Sequence, residues 1–180
     1  MLKSLKWEDD RVLSICVGEN LFTLAQMRAN YLLEVFDVFR TDDSWEGVDL
    51  NSAEIIFCIF ISPKNLKSIF SDRPVESSIL KNQRAIRKRM LSANLGAPGS
   101  MSADLIDLSS SFSNIDGNIV RERLTPEKDS ELIYKYEFCG MAGNPDRILN
   151  RLKLYHQTGV NWDETKKVIF PDLPPPAPSR

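Results

Sequence analysis

The feature of this sequence that most constrains its fold is a series of four apolar segments, at residues 11–17, 21–27, 31–39 and 53–61. In the first segment Leu13, Ile15 and Val17 share one face, which is the period of two that a pleated strand requires. Gly and Asn in the short links tolerate positive φ angles and favour tight turns. The fourth segment is apolar on both faces, as in a strand covered on both sides, and a buried helical turn has the same pattern. We therefore predict one mainly antiparallel sheet.

The third segment carries acidic residues inside an apolar run. Strand alternation divides its residues between two faces, one with Leu33, Val35, Asp37 and Phe39 and the other with Leu32, Glu34, Phe36 and Val38. The alternation therefore predicts that Asp37 shares a face with three apolar side chains.

The clearest predicted helix spans residues 145–158. Asn144 precedes it as the N-cap, Pro145 takes the first helical position and Gly159 ends it. Its apolar stripe consists of Ile148, Leu149, Leu152 and Tyr155. His156, the one histidine, falls on the same stripe. Because no cysteine lies at ligand spacing from it, we favour a packed or hydrogen-bonded neutral imidazole over a metal ligand.

The middle of the chain predicts weaker elements. Residues 75–91 place Ile79, Ile86 and Met90 at helical spacing, with basic residues on the opposite face. Residues 92–113 are rich in Gly and Ser and predict a loop-rich region. Two further strands are predicted, at 118–124 and, as a half-buried strand, at 132–138.

The end of the chain is proline-rich. Residues 168–170 are predicted to add a last strand or to tuck under the sheet, and the five prolines of residues 171–180 predict an extended tail. The predicted fold class is α+β, with a mainly antiparallel sheet from the N-terminal half, one basic helix in the middle and one C-terminal helix. We predict a single domain at residues 1–170, followed by the tail.

Composition limits the cellular setting. No apolar run reaches the roughly 20 residues that span a bilayer, and the first ten residues lack the apolar core of a signal peptide. We therefore expect a cytoplasmic protein with no membrane association. Cys16, Cys58 and Cys139 each lie in an apolar run, which predicts reduced, buried thiols.

Charge is distributed unevenly along the chain. Residues 1–60 carry 11 acidic and 5 basic side chains, a balance of −6, whereas residues 61–92 carry 8 basic and 2 acidic, a balance of +6. Patches of one sign change association rates by roughly 10- to 1000-fold, so this separation indicates binding partners more than fold.

Motifs for catalysis are absent from the sequence. It contains no nucleophile elbow, H-E-x-x-H, Cys-x-x-Cys, Walker or dinucleotide-binding motif. The acidic pairs at 9–10 and 42–43 are predicted at strand ends and in loops, where solvated carboxylates are the rule. We therefore predict a protein that is not an enzyme and that needs neither a cofactor nor a metal.

One family resemblance concerns the predicted strands. The residues Val-Leu-Ser-Ile-Cys-Val-Gly-Glu-Asn-Leu-Phe-Thr-Leu-Ala-Gln-Met at 12–27, followed by Val-Phe-Asp-Val-Phe at 35–39, resemble the N-terminal half of the immunity protein 26 family of bacterial polymorphic toxin systems. The resemblance covers about residues 7–62. It implies a β-rich fold and a role in neutralising a toxin that the same cell makes. The implied partner is the C-terminal domain of a cognate toxin.

The leading hypothesis is therefore a cytosolic immunity protein that blocks a toxin domain by stoichiometric binding. Its acidic first third would face the partner, where carboxylates could take the place of phosphates in the basic cleft of a nuclease. The candidate contact residues are Asp37, Asp42, Asp43, Trp45, Glu46 and Asp49. Trp45 is the candidate aromatic anchor, and the alternative is that it closes the edge of the core while the carboxylates are merely solvated.

A second hypothesis is a nucleic-acid-associated accessory protein that uses the basic helix. Its candidate residues, which are also secondary candidates for toxin binding, are Lys81, Arg84, Arg87, Lys88 and Arg89. Leu154, projecting away from the stripe of the C-terminal helix, is a further candidate contact. The basic residues are not interleaved with aromatics, which argues against single-strand stacking, and a solvated helix face is the alternative.

Overall fold

The N-terminal third folds into an antiparallel sheet. The structure, a computed structural model, describes residues 4–75, 78–96 and 101–180. The first sheet has the order β1 (Val12–Gly18), β2 (Leu21–Met27), β3 (Leu32–Arg40) and β4 (Ile55–Phe60), and every neighbouring pair is antiparallel. This confirms the four predicted strands and the mainly antiparallel sheet.

The two faces of β3 pack against different layers. Leu33, Val35 and Phe39 belong to the core that β1, β2 and β4 form with the C-terminal helix. Phe36 and Val38 instead pack into a cluster on the opposite face of the sheet. The predicted alternation along β3 is therefore confirmed.

A second antiparallel sheet follows, with the order β5 (Arg89–Asn94), β6 (Ser102–Asp107) and β7 (Asn118–Leu124). The predicted strand at 118–124 is confirmed. The prediction of a loop-rich region at 92–113 is wrong for residues 92–94 of β5 and for all of β6, and residues 97–100 of that region lie outside the described residues. Leu91, Ala103 and Leu105 are buried in a common core with Leu124, which pairs these strands despite their small and polar residues. Leu32, Cys58 and Phe60 of the first sheet pack on Met90 and Ile106 of the second and so join the sheets.

In the described part of the chain four α-helices accompany the sheets, the short α1 (Pro63–Leu66), α2 (Pro126–Lys135), α3 (Pro145–Thr158) and the short α4 (Lys166–Ile169). Helix α3 is confirmed residue by residue. The Asn144 side chain accepts a hydrogen bond from the Arg147 N–H at 3.2 Å, and Gly159 ends the helix with a φ of 72°. Ile148, Leu152 and Tyr155 are buried against the first sheet, as the stripe predicts.

The predicted basic helix at 75–91 is wrong for the residues of that range that the structure describes, which exclude 76 and 77. Residues 78–88 contain no helix, and residues 89–91 belong to β5. Asn82 is buried, where its Nδ2 donates to Glu34 Oε2 at 2.7 Å and its backbone N–H donates to Gln26 Oε1 at 2.8 Å. These long-range hydrogen bonds hold the segment against the first sheet in a conformation that is not helical, although its apolar residues have helical spacing.

The predicted strand at 132–138 is also wrong, because residues 126–135 form α2. Pro126 takes a first-turn position, and the Asp129 carboxylate accepts a hydrogen bond from the Thr125 N–H at 2.9 Å. Phe138 then pairs with Leu91 in a single parallel bridge, which is the one strand-like contact of the predicted segment.

The C-terminal residues lie against the rest of the molecule. Residues 168–170 tuck beneath the second sheet, with Ile169 and Phe170 buried, and add no strand. Residues 173–180 have no regular structure, yet Leu173 is buried, and the backbone N–H groups of Ser179 and Arg180 donate to the Thr158 carbonyl.

The three cysteines are free thiols. Cys58 is buried in β4, and burial raises the pKa of its thiol, whereas Cys16 and Cys139 are only half-buried. Among the helices in the described part of the chain, none has the length and apolar character that crossing a membrane requires.

Candidate functional site

The acidic loop, residues 41–51, joins β3 to β4 and is fixed from inside by a tryptophan. Trp45 is only 1% exposed and packs with Phe36, Val48 and Leu50. Its indole N–H donates to Asp43 Oδ1 at 2.8 Å. Trp45 is therefore part of the core edge, as the alternative interpretation held, and offers no exposed ring to a partner.

Hydrogen bonds order the carboxylates on either side of Trp45. Asp43 also accepts from the Ser71 hydroxyl. Burial opposes the charge on Asp43, but its hydrogen bonds outweigh burial and hold its pKa below the usual range. Asp49 accepts from the side-chain and backbone N–H groups of Asn51, both at 2.9 Å, and these bonds likewise lower its pKa. Both carboxylates are therefore charged at neutral pH and locked in place.

The predicted acidic residues divide into three groups. Asp42 and Glu46 are exposed on the acidic loop, while Asp43 and Asp49 are half-buried in it. Asp37 lies apart, on the face of β3 that packs against α3, where its carboxylate contacts Tyr155 and Arg180. The acidic loop thus carries four of the five predicted carboxylates.

Leu80 is an exposed apolar residue beside this loop. Its N–H donates to the Val48 carbonyl at 2.9 Å, and its own carbonyl accepts from the Leu50 N–H at 2.8 Å, so it pairs with Asp49 in a parallel bridge. Its side chain is 61% exposed. Sequence reasoning missed Leu80 because helical spacing selects Ile79, which is buried, and leaves Leu80 without a role.

The predicted basic residues do not form one surface. Arg84 donates to the carbonyls of Leu50 and Ala53 at 2.9 and 2.7 Å and is a structural residue. Arg89 forms a two-bond ion pair with Asp107 at 2.8 and 2.9 Å. The other three, Lys81, Arg87 and Lys88, are exposed. The Lys88 ammonium nitrogen lies 5.0 Å from the centroid of the Phe112 ring.

Leu154 lies off the stripe of α3, as predicted, and is half-buried against the core of the second sheet. The prediction for His156 needs correction. His156 is exposed at the edge of the stripe, with its ring 4.8 Å from that of Phe39, and is not enclosed by the core. No cluster of three metal-ligating side chains occurs among the described residues, His156 included.

A cleft of about 460 Å³ opens beside α3, lined mainly by apolar side chains such as Ile148, Phe138 and Leu154. Near it lies a buried ion pair in which Arg151 donates to Glu137 at 2.6 Å and to Asn161 at 2.8 Å. Lys166 is fully buried close by, and burial lowers its pKa. This network links α3 to the segments before and after it and, since its charges are enclosed, its role is structural.

The chain was compared with protein-family models, curated proteins and solved structures. No curated protein and no solved structure matches it. One family model, described as a domain of unknown function (DUF8309), matches residues 2–174. Because that match covers nearly the whole sequence, the chain belongs to the DUF8309 family.

Proposed function

We propose that this protein is a cytosolic immunity protein, a binding protein and not an enzyme, that neutralises a cognate toxin domain by stoichiometric contact through the acidic loop. The observation that carries the proposal is that Asp42 and Glu46 face solvent on a loop held rigid by buried Trp45 and by the bonded carboxylates of Asp43 and Asp49. A surface that is already ordered loses little conformational entropy on binding.

The chemistry of this surface suits a basic partner. Exposed carboxylates attract a positively charged cleft over a distance and speed association, and they match the place of phosphates if the toxin attacks nucleic acid. Affinity also needs an apolar contact at the centre of the interface. We assign this apolar contact to Leu80 in place of Trp45, because Leu80 is exposed and lies next to Asp49.

The experiment begins by co-expressing the protein with the toxin encoded beside its gene and measuring cell survival and complex formation. The variant Asp42→Lys/Glu46→Lys should then slow association about tenfold or more at low salt and weaken its salt dependence. The matched control reverses two exposed carboxylates away from the loop, Glu122→Lys/Glu131→Lys, and should leave association unchanged. Survival without any complex at micromolar concentration, or equal effects of both variants, would contradict the proposal.

The apolar contact is tested separately by Leu80→Ala. We expect faster dissociation of the complex with an unchanged melting temperature, since the side chain is exposed. Leu95→Ala removes an exposed leucine elsewhere and is the control.

The contacts of the basic residues argue against the nucleic-acid hypothesis. That hypothesis relied on a basic helix, but the segment is extended, and Arg84 and Arg89 are held by intramolecular contacts. Binding through about four phosphates would give a slope near −3.5 in log affinity against log salt. A slope of that size with nucleic acid alone would favour it over the immunity proposal.

A further inference from the structure

Asp37 is a carboxylate placed on an otherwise apolar face. Its neighbours on that face of β3, Val35 and Phe39, pack against α3. A carboxylate in such a position requires hydrogen-bond donors to offset its loss of water. The Tyr155 hydroxyl donates to Asp37 Oδ2 at 2.9 Å, and Arg180 Nη2 donates to the same oxygen at 2.6 Å.

Tyr155 adds an aromatic surface to this contact. The Arg180 guanidinium carbon lies 5.0 Å from the centroid of the Tyr155 ring, within the range of a cation–π interaction. Phe39 stacks against Tyr155 with ring centroids 6.3 Å apart and fixes its orientation. A carboxylate beside a fixed aromatic face is an arrangement that recognises a planar guanidinium better than a compact ammonium.

The present occupant, Arg180, belongs to a segment without regular structure. It is carried by the tail of residues 171–180, whose nearby backbone hydrogen bonds are those from Ser179 and Arg180 to the Thr158 carbonyl, at 2.9 and 3.2 Å. The Arg180 side chain is 46% exposed. Arg180 is therefore more exposed than Asp37 and Tyr155, which belong to β3 and to α3.

Beside Arg180 there is open space whose lining carries charges of both signs. A cavity of about 360 Å³ next to Arg180 is lined by Glu54, Arg87 and Asn161, as well as by Tyr155. Glu54 adds a second carboxylate near the ring. Burial is the main cause that raises the pKa of the Tyr155 hydroxyl, and Asp37 and then Glu54 add to it. A second arginine side chain could approach from this cavity while Arg180 leaves.

We propose that Asp37 and Tyr155 form a guanidinium site that an arginine of the partner protein occupies by displacing Arg180. The site is a property of this chain alone, and only the assignment of that arginine to the toxin rests on the proposed function. Arg180 then acts as an internal competitor that weakens the first encounter and disfavours partners without a suitably placed arginine.

N-acetyl-arginine amide is the probe, and its binding is followed by the chemical shifts of backbone amides near Asp37, Tyr155 and Gly159. Because a tethered competitor has an effective concentration in the millimolar range or above, Arg180→Ala should bind the probe about tenfold more tightly than the wild type. N-acetyl-lysine amide should bind more weakly than the arginine probe. Arg147→Ala removes an exposed arginine of α3 outside the site and should not change probe binding.

Asp37→Asn in the Arg180→Ala background should abolish binding, and Tyr155→Phe, which keeps the ring and the fold, should retain most of it. Equal probe affinity of the wild type and Arg180→Ala, or shifts confined to other surfaces, would overturn the proposal. No toxin is used here, so failure of the immunity proposal would leave this result standing, and failure of the site would leave the acidic-loop experiment standing.

Discussion

At the residue scale, Tyr155 couples α3 to the first sheet through a titratable hydroxyl. Partial burial, followed by its hydrogen bond to Asp37, raises the pKa of Tyr155 to about 12 from an ordinary value of 10.0. The folded state therefore holds this proton more tightly than the unfolded state does. Its contribution to stability is fully present below about pH 10 and is lost as the pH rises toward about 12.

We predict that tyrosinate absorbance, taken as the difference between the wild type and Tyr155→Phe, titrates near pH 12. The same variant should lose less stability than the wild type between about pH 10 and about pH 12, as measured by urea unfolding at each pH. A difference titration centred near 10.0 would show that Asp37 and burial do not control this hydroxyl.

On the opposite face of the first sheet, Asn82 joins the segment 78–88 to β3 by a hydrogen bond. Its side chain donates to Glu34, whose pKa is raised by burial, and accepts from Arg84 Nε at 2.8 Å. Asn82→Ala should destabilise the protein by about 1–3 kcal/mol, because buried polar groups lose their partners. Gln83→Ala, at the exposed next position, should change the free energy of unfolding by less than about 0.5 kcal/mol. Equal effects of the two variants in urea unfolding would contradict this role.

At the scale of elements, α3 rests on one deeply buried position. Leu152 is fully buried between α3 and the first sheet. We predict that Leu152→Ala destabilises the protein by about 2–5 kcal/mol, since it leaves a cavity in a packed core. Lys153→Ala, one position along the same helix and exposed, is the control and should be nearly neutral in chemical unfolding. A loss below about 0.5 kcal/mol for Leu152→Ala would mean that α3 is not anchored there.

Elements whose determinants are local were predictable from the sequence. The first four strands follow from alternation and turn residues, and α3 follows from Asn144, Pro145 and Gly159, all within one stretch of chain. The segment 78–88 was not predictable in this way, because its conformation depends on Gln26 and Glu34, which are about fifty residues away in sequence.

The wrong prediction for α2 has a different cause. Its residues alternate from Leu132 onward, but the stronger local feature was at its start, where Thr125 and Pro126 precede Glu127 and Asp129. Acidic residues in a first turn opened by proline favour a helix N-terminus. Giving these start residues more weight than the alternation would have predicted α2 correctly.

At the scale of the whole molecule, two sheets share a core. Leu32 and Phe60 pack on Met90 and Ile106, and single bridges such as Leu91 to Phe138 add connections around the second sheet. We predict that both sheets unfold in one cooperative transition. Labelling with 5-fluorotryptophan gives separate fluorine resonances for Trp45, in the core of the first sheet, and Trp162, in that of the second. Their urea midpoints should coincide, and two distinct midpoints would indicate separately stable units.

The candidate site was partly predictable at this scale. Uneven charge drew attention to residues 42–49, because runs of carboxylates are visible without a fold, and Asp42, Asp43, Glu46 and Asp49 lie on one loop. Which apolar residue stays exposed was not visible, since burial of Trp45 and exposure of Leu80 depend on packing against Phe36 and Val48 and on pairing between distant segments. Likewise, the sequence alone does not show that Arg180 contacts Asp37, because only the fold brings the two residues together.

Burial of Cys58 allows local opening of this protein to be measured by thiol alkylation. Its thiol lies inside β4, between the two sheets, with a raised pKa, and so it is shielded from reagents and held in its unreactive protonated form. A small alkylating agent can reach it only when β4 separates from its neighbours. The rate of Cys58 alkylation in native buffer therefore reports how often β4 opens. Peptide mass separates this reaction from alkylation of Cys16 and Cys139. A partner that binds the acidic loop, which leads into β4, would be expected to slow this alkylation, because binding to the folded state opposes opening.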